Sequence, residues 1–324
     1  MNALDSPWVI VLAGGDGTRL ASLTTGLGGQ TTPKQFCSLR GGRTLFGDSL
    51  ARAFALAAPE RVLTILTEKH RPFWSDELGA LPPENVIVQP ENKGTAAGVL
   101  LPLLSIARRD PRARVLLLPS DHHVREESVL RIALIFALEH AAASPDSICM
   151  LGLSPETEDP DYGWILPRRA DSVLHRVHSF VEKPGRSAAQ ALMREGALWN
   201  SFILGGSLRA FLELYRSRLP ALFASLAGAG GAPAHIRRVY EEFAPADFSR
   251  DLVQGSEDRL RVLEVPPCGW TDLGTPGRVA ECLQSGSYAR IESALLDQTP
   301  VLLDRLAAAR GRLSVERPVH AHGA

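Results

Sequence analysis

The chain has 324 residues, 45% of them hydrophobic, and its 35 basic and 36 acidic side chains nearly cancel. This length and composition exclude a disordered or fibrous protein and allow one large α/β domain, with or without an appendage. With no net field toward nucleic acid or an anionic membrane surface, neither is an expected partner, and any anion site must be local. Cys37, Cys149, Cys268 and Cys282 form no CxxC pair and no metal-ligand spacing, and read as reduced thiols. No run reaches the length of a membrane span and no secretory leader opens the chain, so the default expectation is a cytoplasmic protein.

Trp8 to Ala13 is a continuous apolar run ending in Gly14 and Gly15, as a buried parallel strand entering a loop would be. Val62–Thr67, Val86–Gln89 and Val115–Leu118 repeat the pattern, with helices predicted over Leu45–Ala58 and Thr95–Arg109. This alternation predicts a Rossmann-like, mostly parallel sheet flanked by helices, with ligands at the carboxyl ends of its strands. Past Ser147 the strand-like pieces Ile148–Leu153, Gly163–Leu166, Val173–Glu182 and Ser201–Gly205 follow with fewer helices. They predict an added, partly antiparallel sheet that builds a second wall. A helix over Leu208–Leu226 is expected to break at Pro220, and Gly228 to Pro233 is a flexible interruption. Ala294–Arg310 is a further amphipathic segment before a polar tail. The expected division is therefore a main domain over 1–285 and a helical C-terminal segment over 286–324.

The string AGGDGTRL, Ala13 to Leu20, follows the first strand directly. Closely spaced Gly14, Gly15 and Gly17, with Thr18, let backbone N–H groups turn toward phosphate oxygens, and the helix start adds partial positive charge. Arg19 offers a forked cation to a triphosphate. The string lacks the Gly-Lys-Ser/Thr of a Walker A loop, and Leu20 stands where GxGxxG needs its last glycine. Thr32-Pro33-Lys34-Gln35-Phe36 follows after a polar linker, and Lys34 can bring a second cation.

GGDGTRL followed by PKQF resembles the sugar-phosphate nucleotidyltransferases, most closely the mannose-1-phosphate guanylyltransferases. QPENKGTA (Gln89 to Ala96), LLPSDH (Leu117 to His122), YGWI (Tyr162 to Ile165), FVEKP (Phe180 to Pro184), WNSFI (Trp199 to Ile203) and GWTDLGT (Gly269 to Thr275) continue the match in order. The resemblance implies a nucleotide-diphospho-sugar transferase type of fold, with the added sheet lining the sugar site. It implies Mg²⁺ as cofactor, and GTP or another NTP and a sugar 1-phosphate, with mannose 1-phosphate favoured, as substrates.

Asp121, just past a strand end, is placed to hold Mg²⁺ against a triphosphate, or to cap a helix. The resemblance makes Asp272 its companion ligand, where a turn role is the alternative. It assigns Lys183 to the sugar phosphate, Glu182 to sugar hydroxyls, and Asn200 to the sugar or its phosphate, while Gly163 would allow a close backbone approach or serve as an ordinary turn glycine. An exposed ion pair is the other reading of Glu182 and Lys183. Gln89, Gly94 and Thr95 are candidates for the base pocket, with Glu91 or a backbone carbonyl as acceptor for the guanine N1 and N2 donors. Adjacent His122 and His123 lack zinc-ligand spacing. Trp199 reads as core.

Three departures stand out. The linker Leu20 to Thr31 is longer and more glycine-rich than usual, Phe202 stands where the family more often has glycine, and the chain is too short for an isomerase cupin domain. The competing readings are a nucleotidyltransferase for another sugar or base, a catalytically silent nucleotide-sugar sensor, and a dinucleotide-binding oxidoreductase. The last lacks the third glycine and the acidic ribose ligand. The C-terminal apolar stripe leaves packing on a partner subunit, and hence a homo-oligomer, open.

Overall fold

The computed structural model of the protein describes residues 6–25, 31–39 and 42–284. The C-terminal segment expected from Ala294, the 286–324 boundary and residues 26–30 of the linker lie outside them. Nine strands form one sheet: β1 (Trp8–Leu12), β2 (Val62–Thr67), β3 (Val86–Gln89), β4 (Arg114–Pro119), β5 (Ile148–Leu153), β6 (Gly163–Arg168), β7 (Leu174–Glu182), β8 (Leu198–Ser207) and β9 (Leu260–Val265). Their order is β3-β2-β1-β4-β8-β5-β9-β7-β6.

The first four strands pair in parallel, as the buried apolar runs predict. Their side chains alternate between two cores. Trp8, Ile10, Val115 and Leu117 face one, while Val9, Val11, Leu116 and Leu118 face the other. The helix Thr95–Arg109 covers the first face; Leu45–Phe54 and Glu127–Ala143 cover the second. Because β1 is flanked by β2 on one side and β4 on the other, the connections diverge at its carboxyl end and leave a crevice.

The antiparallel strands are hydrogen-bonded into this same sheet. β8 pairs with β4 through its second half, while Leu198 and Trp199 at its start pair with Ile165 and Trp164 of β6. The ladder β8-β5-β9-β7-β6 thus returns to β8, and the second wall stands up from the sheet as a closed ring of strands. β8 is longer than its predicted core, Ser201–Gly205, because it serves both partners. The helix expected to reach Ala58 ends at Phe54, where Leu56 and Ala57 both donate to the Ala53 carbonyl ahead of Pro59. Pro220 divides Leu208–Arg218 from Pro220–Gly228 as expected. Among the described residues no helix is long and apolar enough to cross a membrane.

β8 lies so close to the helix Glu127–Ala143 that a Cβ on Gly205 would sit 2.9 Å from the Ala137 Cβ and 3.2 Å from its carbonyl oxygen. Backbone cannot yield as a side-chain tip can. Gly205→Val is therefore expected to lower the unfolding free energy by about 1–3 kcal/mol, read from the denaturant midpoint. An unchanged midpoint would mean that the helix is not seated this tightly.

Candidate active site

A cavity of ≈ 390 Å³ opens at the crevice, and residues from both walls line it. Gly14, Gly15, Gly17, Arg19, Gln89, Gly94, Thr95 and Asp121 contribute from the parallel half. Gly163, Glu182, Lys183, Asn200 and Asp272 contribute from the other. Thr18 lies in the same loop, at the start of a short 3-10 turn. Lys34 is the exception, being buried behind the lining.

The glycine loop is held from beneath by the PKQF segment. The Gln35 amide donates to the carbonyls of Ala13 at 3.1 Å and Gly15 at 2.7 Å. Gly17 has φ +61°, and a Cβ there would meet the Lys34 backbone nitrogen at 2.8 Å, so the turn accepts only glycine without a shift. Asp16 ties the loop sideways, with Lys69 at 2.6 Å and the Asn92 amide at 3.3 Å. Arg19 reaches across the mouth to Asp161 at 3.5 Å.

Lys34 joins the two sequence-distant carboxylate loops. Its ammonium lies 2.8 Å from Asp121 Oδ2 and donates to the Asp272 carbonyl oxygen. The loops also pair directly, since His123 and Thr271 exchange backbone hydrogen bonds at 2.9 Å in both directions. The adjacent histidines are thereby accounted for: His123 splices the loops through its backbone, while His122 Nδ1 accepts from the Trp270 indole at 3.2 Å. Burial opposes ionisation of Asp121, but the Lys34 ammonium, together with His122 and a backbone hydrogen bond, holds the carboxyl down to about 2. Burial also opposes ionisation of Asp272, and the Arg278 guanidinium keeps it below the usual carboxylate range. Tyr162 Oη at 2.8 Å, Arg278 at 2.7 Å and the Gly274 N–H at 3.0 Å all donate to Asp272 Oδ1, and all three spare Oδ2. Two anionic carboxylates on one cavity suit a hard cation that takes its remaining ligands from phosphate and water. Among the described residues no group of three or more His, Cys, Asp or Glu forms a protein-only cage.

At the opposite end Gly163, Glu182 and Asn200 converge. A Cβ on Gly163 would lie 2.6 Å from Glu182 Oε2 and 3.2 Å from the Asn200 Cβ, so this glycine permits a close approach. Lys183 follows β7 with φ +49°, its ammonium 3.8 Å from Glu182 Oε1. Phe202 and Leu273 also have left-handed φ, +56° and +50°. Such positions cost on the order of 1–3 kcal/mol each, and all three described non-glycine examples adjoin this cavity. Trp199 is buried and stacks on Tyr162 at 4.3 Å, as a core residue should.

The three base-pocket candidates line the remaining side. The Gln89 amide is engaged at both ends, donating to Thr67 Oγ1 at 3.1 Å and accepting from Tyr240 Oη at 3.1 Å. Thr95 Oγ1 accepts from the Phe248 N–H at 2.7 Å. Gly94 has φ +85°, and a Cβ there would lie 2.2 Å from the Ala246 carbonyl, which accepts from the Ala96 N–H at 3.0 Å. Glu91 pairs with Lys93 at 3.3 Å outside the lining.

Sequence reasoning missed Gln35, Asp16, Tyr162 as a hydrogen-bond donor to Asp272, and above all Arg278. Arg278 bonds Asp159 and Asp272 and lies over the Tyr162 ring at 4.3 Å. Tyr162 stood in a recognised string and could have been proposed from it; Arg278 lay in an ordinary amphipathic stretch with no local signal.

Burial, helped by the Asp247 carboxylate, pushes the Glu182 carboxyl up to about 7, against the pull of Lys183 and Arg250. The folded protein therefore keeps this proton to a higher pH than the unfolded chain. The associated stability is complete below the ordinary glutamate range and is lost as pH rises through about 7. Glu182→Gln removes that loss, so its stability relative to wild type should rise by on the order of 2 kcal/mol between pH 5 and pH 8. Denaturant unfolding at the two pH values measures this, and an equal difference at both would mean that Glu182 is ionised throughout.

Comparisons with known proteins agree with this geometry. The nucleotidyl transferase family model matches residues 8–284. The chain is 31% identical over 281 residues to the mannose-1-phosphate guanylyltransferase ManC of Salmonella typhimurium, covering 82% of this chain and 57% of that one. It is 29% identical over 283 residues to the mannose-1-phosphate guanylyltransferase of Escherichia coli K12, with the same two coverages. The chain thus spans little more than half the length of these curated relatives. Among solved structures, one from Thermus thermophilus described as a mannose-1-phosphate geranyltransferase superposes with a TM-score of 0.72 at 28% identity, covering 83% of this chain and 76% of that one. With the family match running from β1 to the last described helix, the chain belongs to the nucleotidyl transferase family.

Proposed function

We propose that the protein transfers a nucleotidyl group to a sugar 1-phosphate and releases pyrophosphate, with GTP and mannose 1-phosphate as the favoured pair and a nucleotide sugar, GDP-mannose, as product. The observation that carries this reading is the pair of ionised carboxylates, Asp121 and Asp272, drawn onto one cavity opposite a glycine loop. The favoured substrates rest on the names of the similar guanylyltransferases and are the finer part of the proposal.

In this reading the backbone N–H groups of Gly14, Gly15, Gly17 and Thr18 cradle the triphosphate, and Arg19 leaves Asp161 to clamp it. Gln89, Gly94 and Thr95 shape the base pocket. Gly163, Glu182 and Asn200 face the sugar, and Lys183 binds its phosphate. A sugar-phosphate oxygen forms a bond to the α-phosphorus as the bond from that phosphorus to the bridging oxygen breaks and pyrophosphate leaves. The attacking oxygen is already anionic at neutral pH, so no general base is needed and catalysis reduces to alignment and charge neutralisation. Mg²⁺, held by Asp121 and Asp272, would supply positive charge at the phosphates. Lys34 holds the Asp121 carboxylate and the backbone of Asp272 in place, and Arg278 with Tyr162 fixes the orientation of the Asp272 carboxylate.

Pyrophosphate release measured over four NTPs and several sugar 1-phosphates tests this directly. Turnover is expected only when both substrates are present, strongest with GTP and mannose 1-phosphate; its absence for every pair would refute the reaction and favour a silent sensor. Lys34→Ala and Asp272→Ala should each lower turnover by at least about tenfold, with folding checked by circular dichroism. Wild-type rates in both would remove these residues from the machinery. Chelation with EDTA should abolish turnover and added Mg²⁺ restore it, whereas turnover that survives EDTA would exclude the metal.

A further inference from the structure

Phe202 lines the cavity, and the proposed reaction leaves it without a role. Its φ of +56° is one that glycine adopts freely and a phenylalanine only under strain. It lies within β8 where pairing with β5 skips register between Met150 and Gly152, a bulge that re-aims a side chain. Its N–H is pinned by Asn200 Oδ1 at 3.0 Å. The ring meets Phe248 edge-on at 5.6 Å, and the residue after Phe248, Ser249, sets its hydroxyl beside the Glu182 carboxylate. Phe202 is only half-buried and lines the cavity. A strained backbone therefore carries a phenyl ring onto the cavity wall, two residues from Asn200 and against Phe248, whose neighbour Ser249 bonds Glu182.

We propose that Phe202 sets which hexose 1-phosphate the cavity accepts, its ring admitting a 2-hydroxyl and excluding a 2-acetamido group. This rests on the reading of the cavity as a sugar 1-phosphate site. The Lys183 ammonium lies 3.8 Å from Glu182. With the C1 phosphate on Lys183, C2 is set beside Glu182 in this proposal, because of the ring neighbours of C1 only C2 carries a hydroxyl that can pair with a carboxyl group. The neighbouring wall there is the Asn200–Phe202 bulge. A hydroxyl is small enough to stay with Glu182 and Asn200. An acetamido group would press its amide N–H and carbonyl against a phenyl ring that offers neither an acceptor nor a donor.

The test compares wild type, Phe202→Gly, Phe202→Ala and Phe202→Leu on plain hexose 1-phosphates and their 2-acetamido counterparts, using the nucleotide that each turns over best. Phe202→Gly and Phe202→Ala should raise the ratio of kcat/KM for acetamido over plain sugar by at least about tenfold, through the KM for sugar phosphate and with the nucleotide KM unchanged. Phe202→Leu, which keeps an apolar bulk in place, should stay within about threefold of wild type. Alanine duplicates the truncation should glycine unfold the bulge. A ratio that does not move in a folded truncation variant, or equal losses on both sugars, would show that the ring only fills core and would overturn the proposal. Calorimetric affinities for the two sugar phosphates should shift in the same direction in the truncation variants whether or not turnover occurs, so the specificity claim and the proposed reaction fail separately.

Discussion

The Lys34 ammonium joins three parts of the chain that the sheet by itself would leave apart. A buried cation is tolerated only with partners close enough to replace its water, and here these are a carboxylate after β4 and a carbonyl on the loop after β9. The next residue, Gln35, is tied to the glycine loop. One short segment thus sets the separation between the loop and the two carboxylates, and any chemistry at this cavity depends on that separation.

The sheet makes this convergence possible. Its parallel half ends in a crevice beside β1, and its other half, antiparallel except where β5 pairs with β9, closes into a ring whose residues line the same cavity. β8 belongs to both halves. The same strand carries Gly205, against which the helix Glu127–Ala143 packs, and Asn200 and Phe202 on the cavity wall. The strained positions are Lys183 just past β7, Phe202 at the bulge within β8 and Leu273 beside Asp272; all adjoin this wall, and the packing around them holds conformations that an isolated chain would leave.

Charge in the cavity is divided between its ends. Asp121 and Asp272 are kept ionised by Lys34 and Arg278. Glu182, buried beside Asp247, holds its proton to about 7. Carboxylates of similar intrinsic acidity therefore differ in charge near neutrality because their neighbours differ. Two ionised carboxylates favour a cation at their part of the cavity, while the Glu182 carboxyl stays largely uncharged below a pH of about 7.

The strands and most helices were legible in the chain itself, because a parallel strand buried on both faces leaves a continuous apolar run, and glycine and proline mark where it must stop. The glycine loop, Lys34 and Asp121 could be singled out because they lie in strings whose local chemistry is distinctive, whereas Glu182 and Asp272 stood out only through the family resemblance of their strings. What only tertiary structure decided was partnership: that Lys34 sits behind the cavity on both carboxylate loops, that Arg278 fixes Asp272, and that the antiparallel strands close into a ring. Those contacts join residues far apart in sequence, and their energies depend on burial and distance, quantities that no local pattern encodes.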